Sequence, residues 1–235
     1  MENDYIKKLE NWANKNLIEE EKEWFKRYHY SREKKFNFSE YFLDKISNFD
    51  EKDRRYRFYT ENGNVYLDKG IISADLNLFF ECFFFEIMSS LDALAHELNL
   101  LFKLYPGKDK KYNYIYFHWL FDKEKLKNNA PETYNFIKSF SETNLFGKLK
   151  YYRRILTHLT VIIKELGTKT DTLSTPTTEY LVKPLYIQQD IDKEISEENK
   201  IELTNCVKEI YENVKNFYEN IYKKINVDLK IMTNN

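Results

Sequence analysis

Glycine and proline are scarce, at five and four in 235 residues. Regular structure is therefore seldom interrupted, which argues for long helices and against a loop-rich all-β fold. Cysteine is scarcer still, at two. Cys82 and Cys206 lie far apart, each inside an apolar helical pattern, and read as two reduced core thiols of a cytosolic protein. No CxxC or HxxxH spacing occurs, so no zinc motif is present and no metal or cofactor is expected. GxGxxG, GxxxxGK(S/T) and GxSxG are also absent, which leaves Rossmann, P-loop and α/β-hydrolase readings without support. No charge of one sign dominates. With a net charge of −1, nucleic-acid binding would have to rest on a local basic patch. Long apolar runs are missing too. The most apolar stretch, Leu76 to Met88, is broken by Asn77, Glu81 and Glu86 and is too short to cross a bilayer. The first eight residues lack the apolar core of a signal peptide. A cytoplasmic protein with no membrane partner is expected.

What is present is mainly helical pattern. Residues 3 to 28 place Tyr5, Leu9, Trp12, Leu17 and Phe25 on one stripe, with the acidic run Glu19 to Glu23 facing water. His29 reads as a surface or helix-end histidine. Ser39 followed by Glu40 resembles the start of a short helix. The period then changes. Arg55 to Tyr59 alternates, Asn62-Gly63 is a turn signal, and Val65 to Leu67 alternates again, which predicts a β-hairpin.

Ser73 is placed to cap the longest helix, 74 to 105, which is apolar on more than one stripe. Tyr112 to Phe121 is aromatic, with His118 expected to pack beside Trp119. Pro131 opens a helix at its first turn. Thr143 or Asn144 caps the next one, expected over 145 to 166 with Gly167 as its stop. A long loop follows, with a short strand at Tyr180 to Val182. The last helix is expected from Ser196. Its stripe of Leu203, Val207, Ile210, Val214, Phe217, Ile221 and Ile225 suits either a bundle or a coiled-coil-like dimer seam. The fold expected is all-α, a helical bundle with long central helices and a small β-hairpin insertion. It is read as one domain, with residues 1–72 as an extension and 73–226 as the core.

The stretch from Lys148 to Thr160 concentrates chemistry. Arg153 and Arg154 precede His158, Lys148 and Lys150 lie just upstream, and Tyr151 and Tyr152 fall between. Histidine near its reference pKa of about 6.5 can take a proton from a 2′-hydroxyl or give one to a leaving oxygen. Arginine grips phosphate through paired donors and stabilises charge building on its oxygens. Cleavage of RNA by internal 2′-hydroxyl attack needs no metal. On an ideal helix Arg154 and His158 lie about 40° apart and Arg153 and His158 about 140° apart. Either Arg154 is the partner, or the turn is non-ideal, or the groups converge across a dimer interface. An ordinary basic helix face with a satisfied histidine would carry the same pattern. Asp92 and His96, four apart on the long helix, share a face. They form a polar pair or line the cleft opposite His158. Tyr151 and Tyr152 can stack on unpaired bases, with core packing as the alternative use of at least one.

Arg153-Arg-Ile-Leu-Thr-His158 matches the Arg-x4–6-His motif of the HEPN superfamily, and its place late in a helical bundle is similar to that family. The segment Leu91 to Asn99 resembles an earlier core helix of some HEPN-like bacterial proteins. The position after the motif arginine, often Asn, Asp or His in active members, is Arg154 here. The resemblance implies a homodimer with a composite cleft and metal-independent endoribonuclease activity on single-stranded or loop RNA. It also implies a defence or toxin–antitoxin setting with a protein antitoxin as partner. In that reading Arg153 and His158 are catalytic, Arg154, Lys150 and Tyr151 bind substrate, and Asp92 and His96 support them. The rival reading is a non-catalytic helical interaction module that dimerises through the last helix.

Overall fold

The protein is nearly all helical. The computed structural model describes residues 4–48, 58–61, 64–67, 74–105, 115–158, 164–168, 182–188 and 200–230. Seven α-helices fall among them: α1 (Asp4–Asn16), α2 (Glu19–Ser47), α3 (Ala74–Phe102), α4 (Glu124–Asn129), α5 (Pro131–Ser141), α6 (Asn144–His158) and α7 (Leu203–Asp228). A 3-10 turn spans Phe117–Leu120. Strand β1 (Phe58–Glu61) pairs antiparallel with β2 (Asn64–Leu67). Strands β3 (Lys164–Thr168), β4 (Val182–Gln188) and β5 (Lys200–Glu202) pair antiparallel in that order. The expected turn pair Asn62-Gly63 and the stretch Arg55 to Arg57 lie outside the described residues, as does the expected cap Ser73.

The first expected helix divides in two. Ile18 adopts an extended backbone (φ −71°, ψ 159°) and begins α2. Its N–H donates to the Glu21 carboxylate at 3.4 Å. Glu19, Glu20 and Glu21 thus fill the first turn of a helix, where the positive end of the dipole favours acids. The acidic run is a start signal as well as a solvated face. Conversely, Ser39 starts nothing. It lies within α2, fully buried, and its hydroxyl bonds back to the Phe36 carbonyl at 2.6 Å. A Ser-Glu pair carries the same sequence signal in either role.

Helices α2 and α3 form an antiparallel hairpin. Phe42 meets Phe79, Lys35 meets Glu86, Arg32 meets Glu97, Tyr28 meets His96 and Glu21 meets Lys103. Phe80, Phe83, Phe84, Ile87, Leu91, Leu94, Ala95 and Leu98 of α3 are fully buried, as expected for a helix touched from several sides. Every member of the α7 stripe, from Leu203 to Ile225, is buried in the chain's own core. That stripe therefore serves the bundle, not a dimer seam.

Two helix starts follow the sequence. Pro131 opens α5, and the Thr143 hydroxyl accepts the Phe146 N–H at 3.2 Å at the start of α6. The N-cap of α5, Ala130, has no hydrogen-bonding side chain to offer. Asp228 at the end of α7 caps it instead, accepting the N–H groups of Glu132 (3.2 Å) and Thr133 (2.7 Å). Helix α6 stops at His158, not at Leu166, and Gly167 falls within β3. Lys164–Thr168 pairs with Val182–Gln188, a partner outside the local window. Likewise α7 starts at Leu203, because Lys200–Glu202 pairs with β4. The strand expected near Tyr180 to Val182 runs from Val182 to Gln188.

Candidate functional site

Helix α6 lays its basic segment along α3. Leu149 and Tyr152 point inward and anchor it, with the Tyr152 ring against Phe84 (5.1 Å between centroids) and Phe80 (6.2 Å). Tyr152 is thus core. Tyr151 is half-buried and packs edge-on against Tyr152 at 5.5 Å. Lys148 turns to Glu209 of α7 at 3.5 Å, while Lys150 is exposed.

The residue after Tyr152, Arg153, reaches over α3. Its Nη2 lies 3.7 Å from Asp92 Oδ2, with both side chains partly exposed. Asp92 Oδ1 accepts the Phe117 N–H at 2.8 Å. Burial pushes the Asp92 carboxyl above its ordinary pKa, against the opposing pull of the Phe117 N–H, Arg153, His118 and Lys35. Asp92 thus faces Arg153 with one carboxylate oxygen and holds the Phe117 N–H with the other. Arg154 and His158 occupy the last turns of α6, and their side chains lie outside the described part of the structure.

His96 takes a different role from Asp92. Its Nε2 accepts the Ile115 N–H at 3.3 Å, and its ring stacks on Tyr28 at 4.5 Å. Burial lowers its pKa to about 4, in keeping with an imidazole that accepts a hydrogen bond. Asp92 and His96, one helical turn apart, thus grip backbone N–H groups two residues apart. Together they fasten the segment that leads into the 3-10 turn.

That segment delivers a residue that the sequence pattern assigns to packing. His118 is exposed, beside an exposed Trp119. Burial lowers its pKa, Asp92 raises it, and Lys150 and Arg153 lower it further. His118, Asp92, Arg153 and Lys150 therefore belong to one electrostatic neighbourhood. Nothing in the sequence links His118 to Arg153, because the link is made by the Asp92–Phe117 hydrogen bond. Among the described residues no group of three or more His, Cys, Asp and Glu is placed to hold a metal ion.

A second polar cluster lies deeper. Glu97 is 0% exposed, Arg32 4% and His29 5%, so His29 is no surface histidine. Glu97 Oε2 takes hydrogen bonds from His29 Nδ1 (3.2 Å) and the Tyr222 hydroxyl (3.0 Å), and Oε1 takes one from Arg32 Nε (3.3 Å). Because a guanidinium only donates, His29 Nε2 accepts from Arg32 at 3.4 Å, which puts the imidazole proton on Nδ1. The Arg32 guanidinium also lies over the rings of Tyr222 (5.0 Å) and Tyr218 (5.2 Å). Burial opposes the charge on Arg32. Tyr222, Glu97, Tyr218 and Glu33 outweigh it and hold the pKa above its ordinary value. No substrate reaches such a cluster, and its work is to fix α2, α3 and α7 against one another.

Both cysteines carry free thiols, with Cys206 buried and Cys82 half-buried. Burial raises the Cys206 thiol to about 11, which suits a core side chain and not a nucleophile. Among the described residues no helix is long and apolar enough to cross a membrane. No family model, curated protein or solved structure matches the chain.

Proposed function

We propose that the chain is a HEPN-type, metal-independent endoribonuclease acting on single-stranded or loop RNA. The observation that carries this reading is the 3.7 Å pairing of Arg153 with Asp92 on a partly exposed face. A guanidinium has five N–H donors, so a carboxylate and a phosphate can be served together. Asp92 aims the group, and Lys150 and His118 add donors for the same phosphate.

The chemistry follows from these groups. His158, as base, removes the 2′-hydroxyl proton while O2′ attacks the adjacent phosphorus. Arg153 stabilises the charge on the equatorial oxygens. The P–O5′ bond breaks, the leaving oxygen takes a proton, and a 2′,3′-cyclic phosphate remains. Arg154 and Tyr151 contact the flanking nucleotide. In this reading the protein acts as a homodimer with a composite cleft, in a defence or toxin–antitoxin setting with a protein antitoxin. Residues 73–226 form the core bundle, and the paired strands near 58–67 are a small hairpin insertion.

Labelled RNA incubated in EDTA with wild type, Arg153→Ala and His158→Ala tests the reading. Wild type should cut, and each variant should lose about a hundredfold or more in rate. Absence of cutting by wild type across several RNAs would leave a binding module.

A further inference from the structure

Helix α2 carries an exposed stripe of aromatic and basic side chains. Tyr30 is 64% exposed, Phe38 45% and Tyr41 52%. Lys34 and Lys45 interleave with them at three- and four-residue steps, so all five side chains share one face. Each lysine lies over a ring: Lys34 over Tyr30 (5.9 Å) and Phe38 (5.6 Å), Lys45 over Tyr41 (5.3 Å). Among the described residues neither lysine is paired with a carboxylate. Arg27 extends the stripe by one turn, over Trp24 at 5.0 Å and within 3.9 Å of an exposed Glu23.

The acids along one flank are engaged elsewhere. Glu33 lies against Arg32 at 3.4 Å, Glu40 bonds the Tyr211 hydroxyl, and Asp44 accepts from Asn48 at 2.6 Å. On the other flank Lys35 reaches across to α3. It lies over the exposed Phe85 at 5.6 Å, contacts Glu86 at 3.7 Å, and lowers the pKa of Asp92. The stripe thus continues towards the Asp92–Arg153 pair.

We propose that this stripe is a binding track for single-stranded RNA, with bases on the rings of Tyr30, Phe38 and Tyr41 and phosphates at Lys34, Lys45 and Arg27. Rings offered face-on to cations are the surfaces on which unpaired bases stack, and every base has such a face. The stripe contains no aliphatic side chain, and its rings and cations alternate along one helix face. Along the helix Phe38 and Tyr41 are separated by about 4.5 Å of rise and Tyr30 and Phe38 by about 12 Å, so the track is several nucleotides long. The choice of RNA rests on the ribonuclease reading. The stacking and phosphate contacts do not.

The test is anisotropy of a fluorescein-labelled 2′-O-methyl oligouridylate, which cannot undergo internal attack. The aromatic variant is Tyr30→Leu with Phe38→Leu and Tyr41→Leu. The charge variant is Lys34→Gln with Lys45→Gln. Aromatic replacement should weaken binding about tenfold or more with the salt dependence unchanged. Lysine replacement should lower the slope of log K against log salt by about 0.7 for each phosphate no longer neutralised. All replaced side chains are exposed, so circular dichroism should match wild type. Unchanged affinity in the aromatic variant overturns the proposal. So does loss of binding to phosphatidylserine vesicles with oligonucleotide affinity intact. Because the probe is uncleavable, failure of Arg153→Ala to abolish cutting would count against the ribonuclease reading and leave this result standing.

Discussion

The Glu97 carboxylate and the Arg32 guanidinium, 65 positions apart in sequence, meet at 3.3 Å in the interior. Both charges have left water, so each depends on the other and on His29 and Tyr222. Glu97→Leu would strand a buried cation and should cost about 3–5 kcal/mol. Adding Arg32→Met should recover much of that loss, because two apolar side chains replace two compensated charges. Urea midpoints at constant slope measure both. A double-variant loss equal to the sum of the Glu97→Leu and Arg32→Met losses would show that the pair is not coupled.

Asp92→Asn keeps an oxygen for the Phe117 N–H and removes the charge opposite Arg153. The fold should be unchanged. On the proposed ribonuclease function, the cleavage rate should fall by about a hundredfold, as expected when an aimed group drifts by an ångström. A fall in Tm with kcat intact would make Asp92 a structural residue only.

His96 titrates at about 4 in the folded chain, against an ordinary 6.5. As pH falls through 6.5 the unfolded chain takes up a proton that the folded chain refuses, which favours unfolding. Stability should therefore decline between about pH 6.5 and pH 4 and level off below. His96→Gln still offers an acceptor to the Ile115 N–H and carries no titratable group, so it should lose this part of the pH dependence. Parallel denaturation curves for the two proteins across that range would contradict the assignment.

Asp228→Ala would remove the side chain that, among the described residues, serves the first N–H groups of α5. The expected cost is about 1 kcal/mol, the usual value of an N-cap. It should appear as a lower Tm, and Asp228→Asn should restore part of it.

Much of this architecture is legible where local rules decide. Pro131, Thr143 and the α7 stripe announce a helix start, a cap and a buried face, because each signal is complete within a few residues. His29 and Ser39 mislead because their partners or depth lie outside the local window. A histidine flanked by Tyr28 and Tyr30 looks exposed until Glu97 arrives from another helix. The end of α6 is hidden because Gly167 imitates a helix stop, whereas the pairing of Lys164–Thr168 with Val182–Gln188 is non-local. At the site, Arg153 is visible as a motif residue and Asp92 as a polar residue on an apolar helix. Their meeting, and the arrival of His118 beside them, depends on helix packing that no spacing encodes.

The final turns of α7 hold two distant parts of the protein. Asn226 donates to the Tyr5 carbonyl of α1 at 3.0 Å, and Asp228 holds the start of α5. During synthesis both helices emerge from the ribosome long before the residues that secure them. The nascent bundle must wait, incompletely closed, until α7 has emerged.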